Sequence, residues 1–117
     1  MGTGYNRNDR VGDLIMREIS EMILKGEIKD PRVGSVIVTG VKVTKDLSQA
    51  RLFITTMGKE TTLEDALAGL QSARGFIKRE LWKRFRLKRV PEIRFELDSA
   101  LQEGYKIDDL LRGLRGE

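Results

Sequence analysis

The apolar residues of this chain change their spacing in a definite order, and that order limits the folds the chain can adopt. Residues 7–25 place apolar side chains three and four positions apart, the spacing of an amphipathic helix. Residues 35–44 and 49–57 are rich in β-branched side chains, which predicts two strands. Four residues separate these strands, and this short spacing favours an antiparallel hairpin. The first half of the chain is therefore predicted to form helix, strand, strand.

The second half returns to helical spacing and then to alternation. Apolar positions over residues 63–85 predict a helix, but Gly75 lies inside it. Glycine in a helix costs about 1 kcal/mol relative to alanine, so a kink or short break is predicted at residues 72–75. Pro91 disfavours helix at the preceding residue, and residues 92–98 alternate as a half-buried third strand. The complete order predicts an α+β layer, with a three-stranded sheet and helices on one face.

Polar and glycine residues mark the ends of the predicted elements. Asn6 or Asn8 is suited to cap the first helix, and Gly26 lies where a left-handed glycine would end it. Residues 30–32 contain Asp and Pro and predict a turn. Gly40 interrupts the first strand and predicts a bulge there.

Length and composition suit one small folded domain. The 117 residues are 39% hydrophobic and 34% charged, the balance of a globular protein. We expect a single domain over residues 1–117, with an ordered core over about 6–98 and a short helix or tail over 99–117. No run of about 18 apolar residues predicts a membrane span, and the polar start lacks the apolar segment of a signal peptide. The absence of cysteine favours a cytoplasmic location.

The residue types needed for common catalytic sites are missing. The chain has no histidine and no cysteine, which excludes histidine acid–base catalysis, Cys-His nucleophiles and metal sites built on those ligands. Asp108 and Asp109 form the nearest approach to a carboxylate cluster, and we interpret them as a solvated helix face. We therefore expect no catalytic residues, no metal site and no enzymatic activity.

Cofactor-binding motifs are also missing. Gly58 and Lys59 resemble the end of a phosphate-binding loop, but that motif requires glycine where Phe53 lies and Ser or Thr where Glu60 lies. No Gly-x-Gly-x-x-Gly sequence supports a dinucleotide site. We expect no cofactor.

The positive charge is concentrated in residues 74–89. This segment has eight basic residues and one acidic residue, whereas the whole chain has a formal net charge of only +4. Such a block on a nearly neutral body is typical of a protein that binds a polyanion. The candidate RNA-binding residues are Arg74, Lys78, Arg79, Lys83, Arg84, Arg86, Lys88 and Arg89, with Arg10 and Arg17 of the first helix as a possible extension.

Helical geometry separates this segment into two sides. Lys78, Arg79, Lys83 and Arg86 share an outer sector, opposite the apolar positions that would face the core. The alternative interpretation is a solvated helix face, although such faces usually mix charges of both signs. Trp82 has two interpretations as well, since it could stack on a nucleic-acid base or lie at the edge of the core.

Three blocks of sequence resemble one known family. Residues 7–13, the segment 30–44 with its Asp-Pro-Arg turn, and residues 73–79 continuing into 89–95 occur in an order and spacing similar to ribosome-binding factor A. That family has a type II KH-like fold, with the order α-β-β-α-kink-α-β. The resemblance covers about residues 5–114 and implies that fold here.

The resemblance is most specific at the kink. Ordinary KH domains hold single-stranded RNA with a Gly-x-x-Gly loop between two helices. This chain has Ala73-Arg74-Gly75 there, similar to the Ala-x-Gly kink of ribosome-binding factor A. The resemblance implies that Ala73 packs closely against the sheet while Arg74 and Gly75 shape the kink.

The resemblance also implies a function and partners. It suggests a non-catalytic factor that binds 16S ribosomal RNA in the maturing small (30S) ribosomal subunit and supports late processing of the RNA's 5′ end. Growth in the cold, other assembly factors and an assembly GTPase that releases the factor belong to the same expectation. We expect a cytoplasmic monomer with no membrane partner. The alternatives are a KH-type module for single-stranded RNA outside ribosome assembly, a carboxylate nuclease and a protein-interaction domain.

Overall fold

The computed structural model of the protein describes residues 5–57, 61–85 and 89–98. Within these ranges the predicted order of elements is confirmed, with one additional 3-10 turn at Pro31–Val33. The elements are α1 (Arg7–Leu24), β1 (Val36–Val43), β2 (Gln49–Thr56), α2 (Leu63–Ser72), α3 (Arg74–Phe85) and β3 (Glu92–Leu97). The segment 99–117, including the predicted short helix or tail, lies outside the described residues. No helix in the described ranges is both long enough and apolar enough to span a membrane.

The three strands form one mixed sheet in the order β1-β2-β3. β1 pairs antiparallel with β2, which confirms the predicted hairpin. β2 pairs in parallel with β3, and Gln49 lies opposite Glu92 at the start of both strands. Parallel neighbours need a long crossover, and α2 with α3 supply it.

A bulge in β1 keeps the strand's valines on the helix side of the sheet. Val38 pairs with Ile54 and Gly40 pairs with Phe53, so Thr39 is the extra residue. Before the bulge Val36 and Val38 are buried, whereas after it Val41 and Val43 pack against the core. The extra residue shifts the inward positions from even to odd numbers. The bulge predicted from Gly40 is present, and it preserves the apolar face.

The core lies between the sheet and the three helices, all on one face of the sheet. Each helix contributes fully buried side chains, and β2 and β3 supply the opposing layer. The principal members are Ile15, Ile19, Met22, Ala50, Leu52, Ile54, Leu70, Ile77, Leu81, Ile93 and Phe95. The other face of the sheet is polar in part, since Arg51 Nε and Glu96 Oε2 form an ion pair there at 2.7 Å.

The two candidate caps of α1 have different roles. The Asn6 N–H donates to the Asp9 carboxylate at 3.1 Å, so the backbone N–H of the capping residue has a hydrogen-bond partner. The Asn8 amide instead donates to the Val43 carbonyl oxygen at 2.9 Å and ties α1 to β1. Gly26 has φ +68° just beyond the last turn, the left-handed conformation predicted from its position.

Candidate nucleic-acid interface

The break between α2 and α3 lies at Ala73, within the predicted segment. The Ala73 N–H donates to the carbonyl oxygens of Gly69 and Leu70 at 3.1 and 3.0 Å. Its own carbonyl oxygen accepts from the Ile77 N–H at 3.0 Å. Ala73 therefore ends one helix and begins the next, and its partly buried side chain packs against the core.

The two glycines near this break have different surroundings. A Cβ at Gly75 would meet only the flexible end of Arg79, at 3.7 Å, which is an ordinary contact. A Cβ at Gly69 would lie 3.1 Å from Val33 Cγ1 and 3.2 Å from Arg32 Cβ. Gly69, which the sequence interpretation did not single out, is therefore the glycine that lets α2 approach the 3-10 turn.

A groove of about 940 Å³ runs along α3 toward the start of β3. Its lining combines cations, one indole, one carboxylate and a small apolar surface: Ser48, Gly75, Lys78, Arg79, Trp82, Lys83, Arg89, Val90 and Glu92. Trp82 is 58% exposed. It lines the groove while part of its surface is covered, so both interpretations of Trp82 stay predictions.

The cations of the groove are available to an external anion. Lys78, Arg79 and Arg89 form no ion pair with any residue in the described ranges. Lys83 lies 3.5 Å from Glu80, yet its side chain remains 65% exposed. Exposed pairs of this kind contribute little, so Lys83 can exchange that carboxylate for a phosphate. Four of the predicted RNA-binding residues thus share one surface.

Arg84 has a different place, although it belongs to the same basic segment. Its guanidinium contacts Glu18 at 2.9 Å and also pairs with Glu27, so it joins α3 to α1 and to the turn that follows α1. These hydrogen bonds raise the pKa of Arg84, and Glu80 adds a weaker contact at 3.4 Å. Arg84 is not among the residues that line the groove, and its contacts indicate a role in stability.

Arg74 lies at the start of α3, beside the open edge of β3. Its Nε donates to the Gln71 carbonyl oxygen at 3.4 Å. With Arg94 and Glu96 it lines a smaller groove of about 350 Å³. Arg74 is therefore next in sequence to Gly75 of the larger groove, but it lines a separate concave surface.

The remaining predicted residues lie elsewhere. Arg10 and Arg17 are exposed on α1, and neither lines the groove along α3. The Arg10 guanidinium lies 5.9 Å from the centre of the Tyr5 ring. Arg86 and Lys88 fall outside the described residues, so their predicted role stays a prediction.

Ser48 and Glu92 line the groove but were not predicted from the sequence. They come together because β2 and β3 begin side by side, where the Glu92 N–H donates to the Ser48 carbonyl oxygen at 2.9 Å. No local sequence pattern indicates this pairing. Val90 is 8% exposed and supplies apolar surface to the groove.

Comparison with known proteins gives a consistent family. The family model described as ribosome-binding factor A matches residues 7–111. A protein named ribosome-binding factor A from Syntrophus aciditrophicus is 44% identical over 115 residues, which cover 98% of this chain and 93% of that protein. These matches extend over nearly the whole chain.

Solved structures show the same fold. The crystal structure of ribosome-binding factor A from Thermus thermophilus has a TM-score of 0.66 and 25% identity, covering 79% of this chain and 97% of that one. A homology model of the Thermus thermophilus protein, fitted into a cryo-EM map of its 30S complex, has a TM-score of 0.56 and 24% identity. That second match covers 74% of this chain and 93% of the other, and it shows likeness of fold.

Proposed function

This chain belongs to the ribosome-binding factor A family, and from this membership we propose that it is a non-catalytic RNA-binding factor for maturation of the small ribosomal subunit. The family name specifies a ribosome-binding protein. A Thermus thermophilus member has been placed in the map of a 30S complex, and we propose the same partner for this chain.

The observation that supports RNA binding is the basic groove along α3. Lys78, Arg79, Lys83 and Arg89 surround one concave surface, and Glu92 is the one carboxylate among the lining residues that the structure describes. Each lysine or arginine that contacts a phosphate releases a condensed counterion, so such a surface binds RNA with a steep dependence on salt. The groove therefore suits a ribosomal RNA backbone, and the proposed mechanism is placement of RNA without a chemical step.

The finer part of the proposal comes from the family resemblance. The chain would bind 16S ribosomal RNA, hold an immature arrangement of the small subunit and support late processing of the RNA's 5′ end. An assembly GTPase would assist its release, beside other assembly factors. The protein would act in the cytoplasm as a monomer and would matter most for growth in the cold.

Co-sedimentation with purified ribosomal subunits tests the proposal directly. The wild-type chain is centrifuged through sucrose gradients with small subunits, large subunits or joined ribosomes, at low and at high salt. We expect comigration with free small subunits, and we expect high salt to release the protein because phosphate contacts dominate. If the chain stays at the top of the gradient at low salt, ribosomal binding is refuted.

A pair of charge-reversal variants locates the binding surface. Lys78→Glu with Lys83→Glu reverses two exposed cations of the groove. Lys29→Glu with Lys42→Glu makes the same change in net charge at exposed lysines that do not line it. The first variant should lose about tenfold or more in affinity, since two phosphate contacts become repulsive, whereas the control should bind nearly as wild type does. Equal losses in both variants would contradict the assignment of the groove.

A further inference from the structure

One face of the sheet is not covered by any helix in the described part of the chain. The three helices pack on the opposite face, so the strand residues that alternate with the core positions face outward. Much of this outer face is polar, as the ion pair between Arg51 and Glu96 shows. The end formed by the start of β1 and the end of β2 is different, because it exposes Ile37 and Met57. Met57 is 67% accessible, so this end of the face is apolar and open.

Two neighbouring side chains make this apolar surface continuous. Thr55 pairs with Ile37 across the hairpin and is 6% exposed, although its position faces outward. Phe53 lies two positions before Thr55 on the same face and is half-buried, with its ring beside Gly40. We call Ile37, Phe53, Thr55 and Met57 the outer patch. None of the four is charged, so the outer patch does not suit an RNA backbone.

The chain leaves β3 at this same end of the sheet. The Asp98 N–H donates to the Ile54 carbonyl oxygen at 3.0 Å, so the parallel pairing with β2 continues to residue 98. The Asp98 carboxylate accepts a hydrogen bond from the Thr39 hydroxyl at 2.5 Å. Thr39 belongs to β1, two strands away in the sheet, and this contact therefore crosses the outer face. Residues 99–117 begin next to the outer patch.

The sequence of residues 99–117 contains apolar side chains that suit such a patch. Four of them have the three- and four-residue spacing that predicts one apolar stripe of a helix: Ile107, Leu110, Leu111 and Leu114. A single short helix is marginal in water, so a stripe of this kind needs a surface on which to pack. The residues from 99 to 106, which include Gly104, leave enough chain to reverse direction after β3.

The small size of the outer patch favours an intramolecular occupant. A stable interface between two proteins buries roughly 800 Å² on each partner, and a patch with only two well-exposed apolar side chains is too small for that. A segment of the same chain needs less area, because its covalent link at Asp98 gives it a high effective concentration beside the patch.

We propose that residues 99–117 turn back over the outer face of the sheet and place their apolar stripe on Ile37, Phe53 and Met57. The sheet then has apolar contacts on both faces. The groove along α3 lies at the start of β2 and β3, whereas the outer patch lies at the end of β2, so the two surfaces do not overlap. The inference is therefore independent of the proposed RNA binding.

Because the chain has no cysteine, one introduced thiol reports on the outer patch. Ile37→Cys is made in the full chain, alone and together with Leu110→Ser and Leu111→Ser, and its reaction with a maleimide is timed under native conditions. We expect the thiol to react slowly with the stripe intact and several-fold faster with the stripe disrupted. Leu24→Cys, at an α1 position that is 86% exposed, is the control, and its rate should be the same in both backgrounds.

Thermal unfolding gives a second readout of the same contact. Leu110→Ser with Leu111→Ser should lower the melting temperature by about 4–8 °C, because apolar area returns to water. The same pair of substitutions should cost less in a Met57→Ser background, where part of the contact is already lost. Circular dichroism checks that each variant is folded. If the double substitution unfolds the chain, Leu110→Ser alone provides the comparison for both readouts.

Three results would overturn the inference. The first is an equal rate of reaction for Ile37→Cys in both backgrounds. The second is full additivity between Met57→Ser and the substitutions in the stripe. The third is protection of the thiol that disappears on dilution, which would assign the outer patch to a second copy of the chain. Each result can be read without ribosomal binding, which co-sedimentation tests separately.

Discussion

Replacement of Gly69 by alanine tests the close approach of α2 to the 3-10 turn. The added Cβ would lie 3.1 Å from Val33 Cγ1, 3.2 Å from Arg32 Cβ and 3.4 Å from Asp30 Oδ2. Val33 is 2% exposed, and the Asp30 carboxylate is held by Arg32 at 2.7 Å. Because Val33 is buried and Asp30 is held by Arg32, these neighbours have little freedom to move away from the added Cβ.

Two opposing effects set the size of the change. Alanine in place of glycine within a helix stabilises by about 1 kcal/mol. Overpacking a well-filled site costs typically about 1–3 kcal/mol. The expected net effect of Gly69→Ala is therefore a loss of about 0–2 kcal/mol. Gly75→Ala has only the ordinary 3.7 Å contact with Arg79 and should gain up to about 1 kcal/mol.

Thermal unfolding of the two variants, measured side by side by circular dichroism, compares the same chemical change at two helix positions. The expected difference in stability between them is about 1–3 kcal/mol, or several degrees in melting temperature for a domain of this size. Both variants replace glycine within a helix, so the difference between them reports mainly the steric effect. Gly69→Ala as stable as Gly75→Ala would refute the claim that α2 needs glycine to approach the turn.

Two further predictions concern individual side chains. Arg84→Met should lower the free energy of unfolding, measured by chemical denaturation, by roughly 1 kcal/mol, because Glu18 and Glu27 lose a shared partner. Its affinity for RNA should stay within about twofold of wild type. A large loss of RNA affinity would show that Arg84 belongs to the binding surface. Hydrogen bonds from Ser48 and then Thr44 lower the pKa of Asp46 to about 2, so its contribution to stability is present above about pH 4 and is lost as the pH falls toward 2. Carboxyl chemical shifts followed by NMR should show that midpoint, and an Asp46 midpoint near 4 would contradict it.

The candidate site was predictable in part because it lies mostly on one helix. Lys78, Arg79 and Lys83 follow from helical periodicity, which places them on one outer sector without knowledge of any other element. Arg84 shows the limit of that reasoning. It is adjacent to Lys83 in the same basic segment, yet its position faces α1, where carboxylates from distant parts of the chain engage it.

The position of Trp82 also could not be decided from helical periodicity alone. Its spacing allowed either a place at the edge of the core or a place in an RNA-binding surface, since both lie within reach of a residue on that row of the helix. The packing of α3 on the sheet, through Ile77 and Leu81, decides how far the helix is rotated. That rotation leaves the indole in the groove and 58% exposed.

The sequence by itself determined the elements, their order and the concentration of positive charge. These properties depend on neighbours along the chain: periodic burial, β-branched runs, and breaks at glycine and proline. Only the tertiary structure decided that β3 lies in parallel beside β2. This pairing brings Ser48 next to Glu92, and the two residues form one side of the groove. The physical reason is that strand pairing, close approach at Gly69 and the ion pairs of Arg84 join residues far apart in sequence. The periodicity of a local segment cannot predict contacts with such distant residues.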